Sequence, residues 1–367
     1  MQNVLALPIH APSGAPAPWT GLRVAVLVPC YNEALTIADV VRDFRFHLPK
    51  ADIYVYDNDS VDGTVARARE AGAIVRREAM QGKGHVIRRM FADVEADVYV
   101  LVDGDGTYDA AAAPEMMQLL VEDGLDMVSG IRVEEDAGAY RPGHRMGNRV
   151  LTGIVRRIFG DRIRDVLSGY RVFSRRFVKS FPALATGFET EIEFTVHALE
   201  LRMPIGEVKT RYGERPPGSA SKLRTVRDGI RIMRTLALLV KEERPLQFFS
   251  AMSLLLLMAG LALGLPVVFE FLHTGLVPRL PTALLALGFV LLSFLSLLGG
   301  LILDSVCLGR RELKRMAYLA VPAKLSRATH RRRTNVTNAV QTNAACTAQH
   351  HHAKISLISP PRPPREA

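Results

Sequence analysis

Between residues 22 and 132, short apolar runs alternate with segments whose apolar positions recur at helical spacing. RVAVLVP (23–29) predicts a strand buried on both faces, IADVVRDFRFHL (37–48) an amphipathic helix, and ADIYVYD (51–57) a second strand. DGTVARAREAG (62–72) predicts a helix stopped by Gly72, and AIVRRE (73–78) a third strand. GKGHVIRRMFADV (82–94) opens in glycines and becomes helical, and ADVYVLVD (96–103) is the most buried strand of the series. AAAPEMMQLLVEDG (111–124) is helical and DMVSGIR (126–132) closes the series as a strand. This alternation predicts an α/β domain on a mostly parallel, doubly wound sheet, a class that binds ligands at the carboxyl ends of its strands.

The pattern changes further on. FFSAMSLLLLMAGLALGLPVVF (248–269) and TALLALGFVLLSFLSLLGGLIL (282–303) run without a charge. About 20 helical residues cross a hydrocarbon layer of roughly 30 Å, so two such runs predict a membrane hairpin, with spans at 248–272 and 281–304. Lys241 and Arg244 precede it, and Arg310, Arg311, Lys314 and Arg315 follow it, whereas the turn offers only Arg279 beside Glu270. Short basic loops stay cytoplasmic, so both ends are expected inside, at an inner membrane, with the turn outside. Gly260 and Gly264 form a G-x-x-x-G that offers a face for a homo-oligomer. Residues 223–247 mix Leu, Ile and Val with Arg and Lys at helical spacing, fit for a membrane surface or for packing on the domain.

The formal charge of +10 is concentrated in the tail. From Ala323 onward eight Lys and Arg residues face one acid, Glu366, so the domain itself lacks the basic excess of a nucleic-acid binder. The tail (323–367) is polar, rich in Ala, Thr and His, and reads as disordered; its histidines at 350–352 form a solvated run. Residues 1–21 read as a flexible lead without the charged and apolar regions of a signal peptide, and 305–322 as a basic cytoplasmic segment. Cys30, Cys307 and Cys346 are too scattered for a disulfide framework or a zinc site.

Polar residues gather where strands end: PCYNE (29–33), DNDSVDGT (57–64) and DGDGTYD (103–109). Each alone reads as a helix cap, and Asp62 and Thr64 need be no more than that. Together they place acids and amides along one edge of the sheet. Asp103 and Asp105, two residues apart, point to one side if the segment is extended, and two adjacent carboxylates require a cation.

These motifs, with QGKGHV (81–86), DVLSGYRVF (165–173) and GEVKTRYGERPPGSASKL (206–223), resemble the family 2 glycosyltransferases of GT-A fold over roughly residues 22–235, with the catalytic domain expected at 22–222. With the hairpin after the catalytic domain, the chain is similar to the polyprenyl-phosphate glycosyltransferases, including dolichyl-phosphate mannose synthase. The resemblance implies an inverting transfer of sugar from a nucleotide-diphosphate sugar to a polyprenyl phosphate. It implies Mg²⁺ or Mn²⁺ held by Asp105 and Asp103, with Asp103, Asp105, Arg132 and Asp165 as the catalytic set. Pro29, Tyr31, Glu33, Asp57, Lys83 and Asp103 match the nucleotide-sugar segment. Arg145, Arg149, Arg171, Arg215, Ser221 and Lys222 match phosphate contacts, Arg141, His144 and Ser219 lying beside them. Three positions depart from the family pattern. Asn58 follows Asp57 where a second acid is usual, Asp59 stands where Gly is usual, and Thr107 replaces a Gln that assists the metal, Asp109 being a substitute.

A lipid phosphate is largely dianionic at neutral pH and needs neutralising and aligning rather than a strong base. Processive polysaccharide synthases hold their chain with a Q-x-x-R-W segment, and the only tryptophan here is Trp19. A catalytically dead nucleotide-sugar scaffold, a non-lipid acceptor and a nucleotidyltransferase remain as alternatives.

Overall fold

The computed structural model describes residues 17–134, 153, 163–187, 189–216 and 244–322. Seven strands form one sheet: β1 (Val24–Cys30), β2 (Asp52–Asp57), β3 (Ile74–Arg77), β4 (Val98–Leu101), β5 (Met127–Glu134), β6 (Arg171–Ser174) and β7 (Ile205–Tyr212), in the order β3-β2-β1-β4-β6-β5-β7. All pairings are parallel except those of β6, which runs antiparallel to both β4 and β5. Crossovers supply α1 (Ile37–His47), α2 (Thr64–Glu70), α3 (Lys83–Asp93), α4 (Ala113–Glu122), α5 (Arg175–Ser180) and α6 (Thr190–Glu200).

Period-two alternation feeds a core on each face. From β1, Val24, Val26 and Val28 join Val41 and Phe44 of α1 and Met116 and Leu120 of α4. Ala25 and Leu27 point the other way, into a core with Ile87 and Phe91 of α3, Phe177 of α5 and Phe194 of α6. Because β1, β2 and β4 are parallel, the loops after them emerge along one edge.

Two helices follow: α7 (Pro245–Thr274), stopped by Gly275 at φ 70°, and α8 (Leu280–Ala320). Each is long and apolar enough to cross a membrane, and most of each apolar stretch faces outward, unlike a core helix. Beyond Pro245 at the start of α7, the buried residues recur every seventh position, Ser253, Gly260 and Val267 on α7 and Ala286, Ser293, Gly300 and Cys307 on α8. That repeat is the seam of a left-handed helix pair. Ser253 and Ser293 hydroxyls meet at 3.0 Å across it, and Ser296 Oγ donates to the Phe249 carbonyl at 3.1 Å.

Gly260 and Gly264 both lie on this seam. A Cβ at Gly260 would stand 2.9 Å from Val290, and one at Gly264 3.4 Å from Ala286. The G-x-x-x-G face is therefore covered by α8 of the same chain, which corrects its reading as an oligomer surface.

α8 continues without a break through most of the segment expected as a separate basic stretch, and its last turns dock on the domain. Lys314 Nζ lies 2.7 Å from Glu200 Oε2, and Arg311 Nε 3.4 Å from Glu200 Oε1. Tyr318 donates to Asp126 Oδ2 at 2.6 Å and accepts from Arg176 at 2.8 Å. Asp126 precedes β5 and Arg176 follows the antiparallel β6, so this foot sits at the sheet edge opposite the loops after β1, β2 and β4.

Candidate active site

The three strand-end loops are laced together by side chains. Asn32, in the left-handed region at φ 52°, accepts from Val61 N at 2.9 Å and donates its own N–H to Ser60 Oγ at 2.9 Å. Glu33 N donates to Thr64 Oγ1 at 2.9 Å, and Thr36 Oγ1 donates to the Gly104 carbonyl at 2.7 Å. Asp57 is buried and accepts the Ser60 N–H at 3.2 Å, so it shapes its turn and is not among the residues lining the cleft. Asp59 has φ 68°, which explains why glycine is usual there; Asp tolerates it, and Arg77 pairs with its carboxylate. Asp62 accepts the Thr64 N–H at 2.9 Å and Asp109 that of Ala111 at 2.9 Å, both as turn caps, so Asp109 does not stand in for the missing Gln.

Pro29, Tyr31, Glu33, Lys83, Asp103, Asp105 and Arg215 converge with Cys30, Asn58 and Gln81 on a cleft of about 270 Å³. Asp103 and Asp105 lie beyond the end of β4, in a turn rather than an extended segment. Each consequently meets its own basic side chain. Asp103 Oδ1 lies 2.5 Å from Lys83 Nζ. Asp105 Oδ2 lies 2.5 Å from Arg215 Nη2, and its Oδ1 accepts the Thr107 hydroxyl at 2.6 Å and the Thr107 N–H at 3.1 Å. Gly104 between them sits on Cys30, where a Cβ would stand 2.5 Å from Sγ. No side chain fits there.

Lys83 has a second partner that the sequence reading missed, Glu191 Oε1 at 2.5 Å. The signal was present in FETEIEF: Glu189, Glu191 and Glu193 are all buried, which charged side chains accept only when paired. Glu193 accepts the Leu184 and Ala185 N–H groups and Glu189 those of Thr186 and Gly187. That holds residues 184–187 against Gly82 and Gly84, where any Cβ would collide with the Thr186 and Ala185 carbonyls. The glycines of QGKG thus admit the chain's own backbone. Asn58 completes the mount, donating to the Glu78 and Met80 carbonyls at 2.9 and 2.8 Å and accepting from Gly82 N at 2.7 Å.

Arg132 and Asp165 form a bidentate pair, Nε–Oδ2 2.7 Å and Nη2–Oδ1 2.8 Å, with the guanidinium 5.5 Å from the Tyr212 ring centroid. Arg171 is a different matter. It is fully buried, and all five N–H donors are used, by the carbonyls of Ser168, Val166 and Glu191, by Thr195 Oγ1 and by Met127 Sδ. Burial lowers its pKa to about 10. Nothing remains for a phosphate, so its reading as an acceptor contact is corrected to that of a core pin. The SGYR motif reaches the site through Gly169, packed on the Asp103 carboxylate, and donating its N–H to Tyr108 at 2.9 Å. Arg141, His144, Arg145, Arg149, Ser219, Ser221, Lys222, most of the lead and juxtamembrane stretches, and the tail lie outside the described residues.

The cleft carries a negative field. Burial pushes the Cys30 thiol up, and Glu33, Asp57, Asp103 and Asp105 add to the rise. Burial likewise pushes Asp103 up to about 6, with Asp105 and Glu191 raising it and Lys83 opposing. Burial would lower Lys83, but Asp103 and Glu191 outweigh it and hold the ammonium above its ordinary value. Among the described residues no three acids, histidines or cysteines are grouped as a ready-made cage. Two hard oxygen donors in a negative field suit Mg²⁺ or Mn²⁺, which bind through one or two carboxylates and complete their shell with phosphates and water. The donor set fits.

An α/β sheet with an acidic cleft at its carboxyl edge has the architecture of the GT-A class. A glucosyl-3-phosphoglycerate synthase from Mycobacterium tuberculosis, solved with Mn²⁺, UDP and glucosyl-3-phosphoglycerate, shares the fold: TM-score 0.50, 24% identity, 62% of this chain and 84% of that one covered. Residues 25–181 match the model for "Glycosyl transferase family 2". Glycosyltransferase AglJ of Haloferax volcanii is 34% identical over 299 residues, covering 81% of this chain and 98% of that one. A dolichyl-phosphate hexose transferase of the same organism is 28% identical over 223 residues, covering 60% and 95%. The chain belongs to glycosyl transferase family 2.

Proposed function

We propose that this glycosyltransferase moves a sugar from a nucleotide-diphosphate sugar to a polyprenyl phosphate at the cytoplasmic face of an inner membrane, with inversion. The observation that carries the reading is the cleft where Asp103 and Asp105 meet Lys83 and Arg215, on a domain joined to two helices long and apolar enough to span a bilayer. The name of the Haloferax dolichyl-phosphate hexose transferase supports the acceptor class.

Pro29, Tyr31 and Glu33 then face the nucleoside, and Arg215 the diphosphate, for which its planar fork is suited. Asp105 and Asp103 would hold Mg²⁺ or Mn²⁺, which when bound supplies charge stabilisation for the leaving diphosphate. Lys83 keeps Asp103 in place and Glu191 keeps Lys83 in place. Arg132 is oriented by Asp165, and Arg145 or Arg149 neutralises the lipid phosphate, with Ser221 and Lys222 closing the loop beyond Arg215. The acceptor phosphate is its own nucleophile, so no histidine is required at the centre. Arg279 at the hairpin turn is 3.5 Å from Glu270, which leaves the basic bias on the side of Arg310 and Arg315 and supports a cytoplasmic domain.

The test is to incubate membranes carrying the protein with polyprenyl phosphate and labelled UDP- and GDP-sugars. The expected result is one labelled lipid, cleaved by mild acid. Nucleotide-sugar binding without labelled lipid from any donor would mean a scaffold or a different acceptor.

A further inference from the structure

The two cations of the cleft are held differently. Lys83 is buried, 9% exposed, and clamped between Asp103 and Glu191. Arg215 is 26% exposed, lines the cleft, and holds Asp105 with one nitrogen while the other stands 3.9 Å from Glu33 Oε1. Asp105 beneath it is only 7% exposed. Thr107 occupies the Oδ1 side of that carboxylate, so the Oδ2 side, where Arg215 sits, is the one exchangeable position. The backbone is anchored just before it, Gly213 N donating to the Thr107 carbonyl at 2.9 Å, so Arg215 leaves by motion beyond Gly213.

We propose that Arg215 is an internal counter-ion that competes with the divalent cation for Asp105, making cation binding depend on a diphosphate that draws the guanidinium away. A guanidinium and a divalent ion on one buried carboxylate repel each other strongly, so the two occupy it in turn. An anion entering the cleft reaches Arg215 first, because Arg215 is the more exposed partner. Diphosphate then takes the fork, which suits it bidentately, and Asp105 is released. By linkage the coupling is reciprocal: the cation also tightens the diphosphate. Lys83 has no such exchange, since Glu191 keeps it charged and fixed whichever partner Asp103 takes. The second half of this inference rests on the proposed function; the competition for Asp105 does not.

The experiment titrates Mn²⁺ into the purified full chain and reads free Mn²⁺ by electron paramagnetic resonance, first without nucleotide and then with UDP or GDP. Arg215→Gln is expected to bind Mn²⁺ without nucleotide on the order of tenfold tighter than the parent, within the usual range of site-to-site coupling. Arg215→Lys, which keeps the charge, stays near the parent, and Arg215→Gln combined with Asp105→Asn loses the gain. Equal or weaker Mn²⁺ binding by Arg215→Gln overturns the competition, whatever the nucleotides do. If the gain appears but neither UDP nor GDP, after subtraction of the Mn²⁺ each chelates in solution, tightens Mn²⁺ binding in the parent, the competition stands and the diphosphate coupling is overturned, the donor class being decided separately by the labelling test above.

Discussion

The two edges of the sheet use the same residue types for opposite ends. At the carboxyl edge, Asp103 and Asp105 meet Lys83 and Arg215 around an open cleft. At the far edge, Glu200 meets Lys314 and Arg311, and Asp126 meets Tyr318, where α8 stands on the domain. The Glu200 side chain is 3% exposed, and its charge is used up in holding a helix that also belongs to the hairpin. Asp105 is nearly as buried, but its partner faces the cleft. Charge and burial therefore do not distinguish a site from a strut; what distinguishes them is whether an outside group can reach one member of the pair. Arginine makes the point within a single domain: Arg215 has a side open to the cleft, and Arg171 has none.

The largest test of that contrast is Arg171→Met. It leaves the carbonyls of Val166 and Ser168 buried without their donor, each at about 1–3 kcal/mol, while the Glu191 carbonyl keeps the Thr195 hydroxyl. A loss of about 3 kcal/mol or more is expected, read as a fall in the unfolding midpoint in detergent. A stable Arg171→Met protein with a raised acceptor KM would restore Arg171 to the phosphate site.

The alternation of strand and helix along the sequence revealed β1 to β5 and α1 to α4, the four-residue β3 and β4 included. β6 has four residues inside a motif, and its antiparallel direction depends on pairing with Leu101 and Ser129, far away in the chain. That pairing turns Arg171 inward, which no local pattern records. The acids at the strand ends were legible as a group. Their counter-charges were less so, because Lys83 and Glu191 are 108 residues apart and meet only through tertiary packing. G-x-x-x-G identified a close helix contact correctly in kind, but only the heptad spacing of Ser253, Gly260 and Val267 against Ala286, Ser293 and Gly300 identifies the partner.

A second, smaller effect depends on pH. His197 on α6 packs against Phe177 and Phe181, and burial, with Lys314 adding to it, lowers its pKa to about 3. Folding thus favours the neutral ring. This stability is complete above the unfolded value of about 6.5 and is lost as pH falls from there towards the folded value, about 2 kcal/mol by pH 5. His197→Phe should flatten the loss of midpoint between pH 7 and pH 5; an unchanged slope would assign the acid sensitivity elsewhere.

The smallest is Gly260→Ala. Its methyl would meet Val290 at 2.9 Å, and an overpacked seam costs about 1 kcal/mol at the low end. The same change at Gly264, where 3.4 Å is ordinary contact, should cost less. Both are read as unfolding midpoints in detergent, and equal effects at the two positions would argue against the seam described here.

One measurement sets the two edges against each other: formation of labelled polyprenyl-phosphate sugar by Asp105→Ala and by Glu200→Ala, at equal concentrations of folded protein. Loss of a charged group that acts on the leaving group typically costs on the order of a hundred- to a thousandfold in turnover. Asp105→Ala should fall by that much and lose less midpoint than Glu200→Ala, which should keep its turnover within a few-fold. Equal losses of turnover in the two variants, or a fully active Asp105→Ala, would contradict the assignment of chemistry to the cleft edge and support to the other.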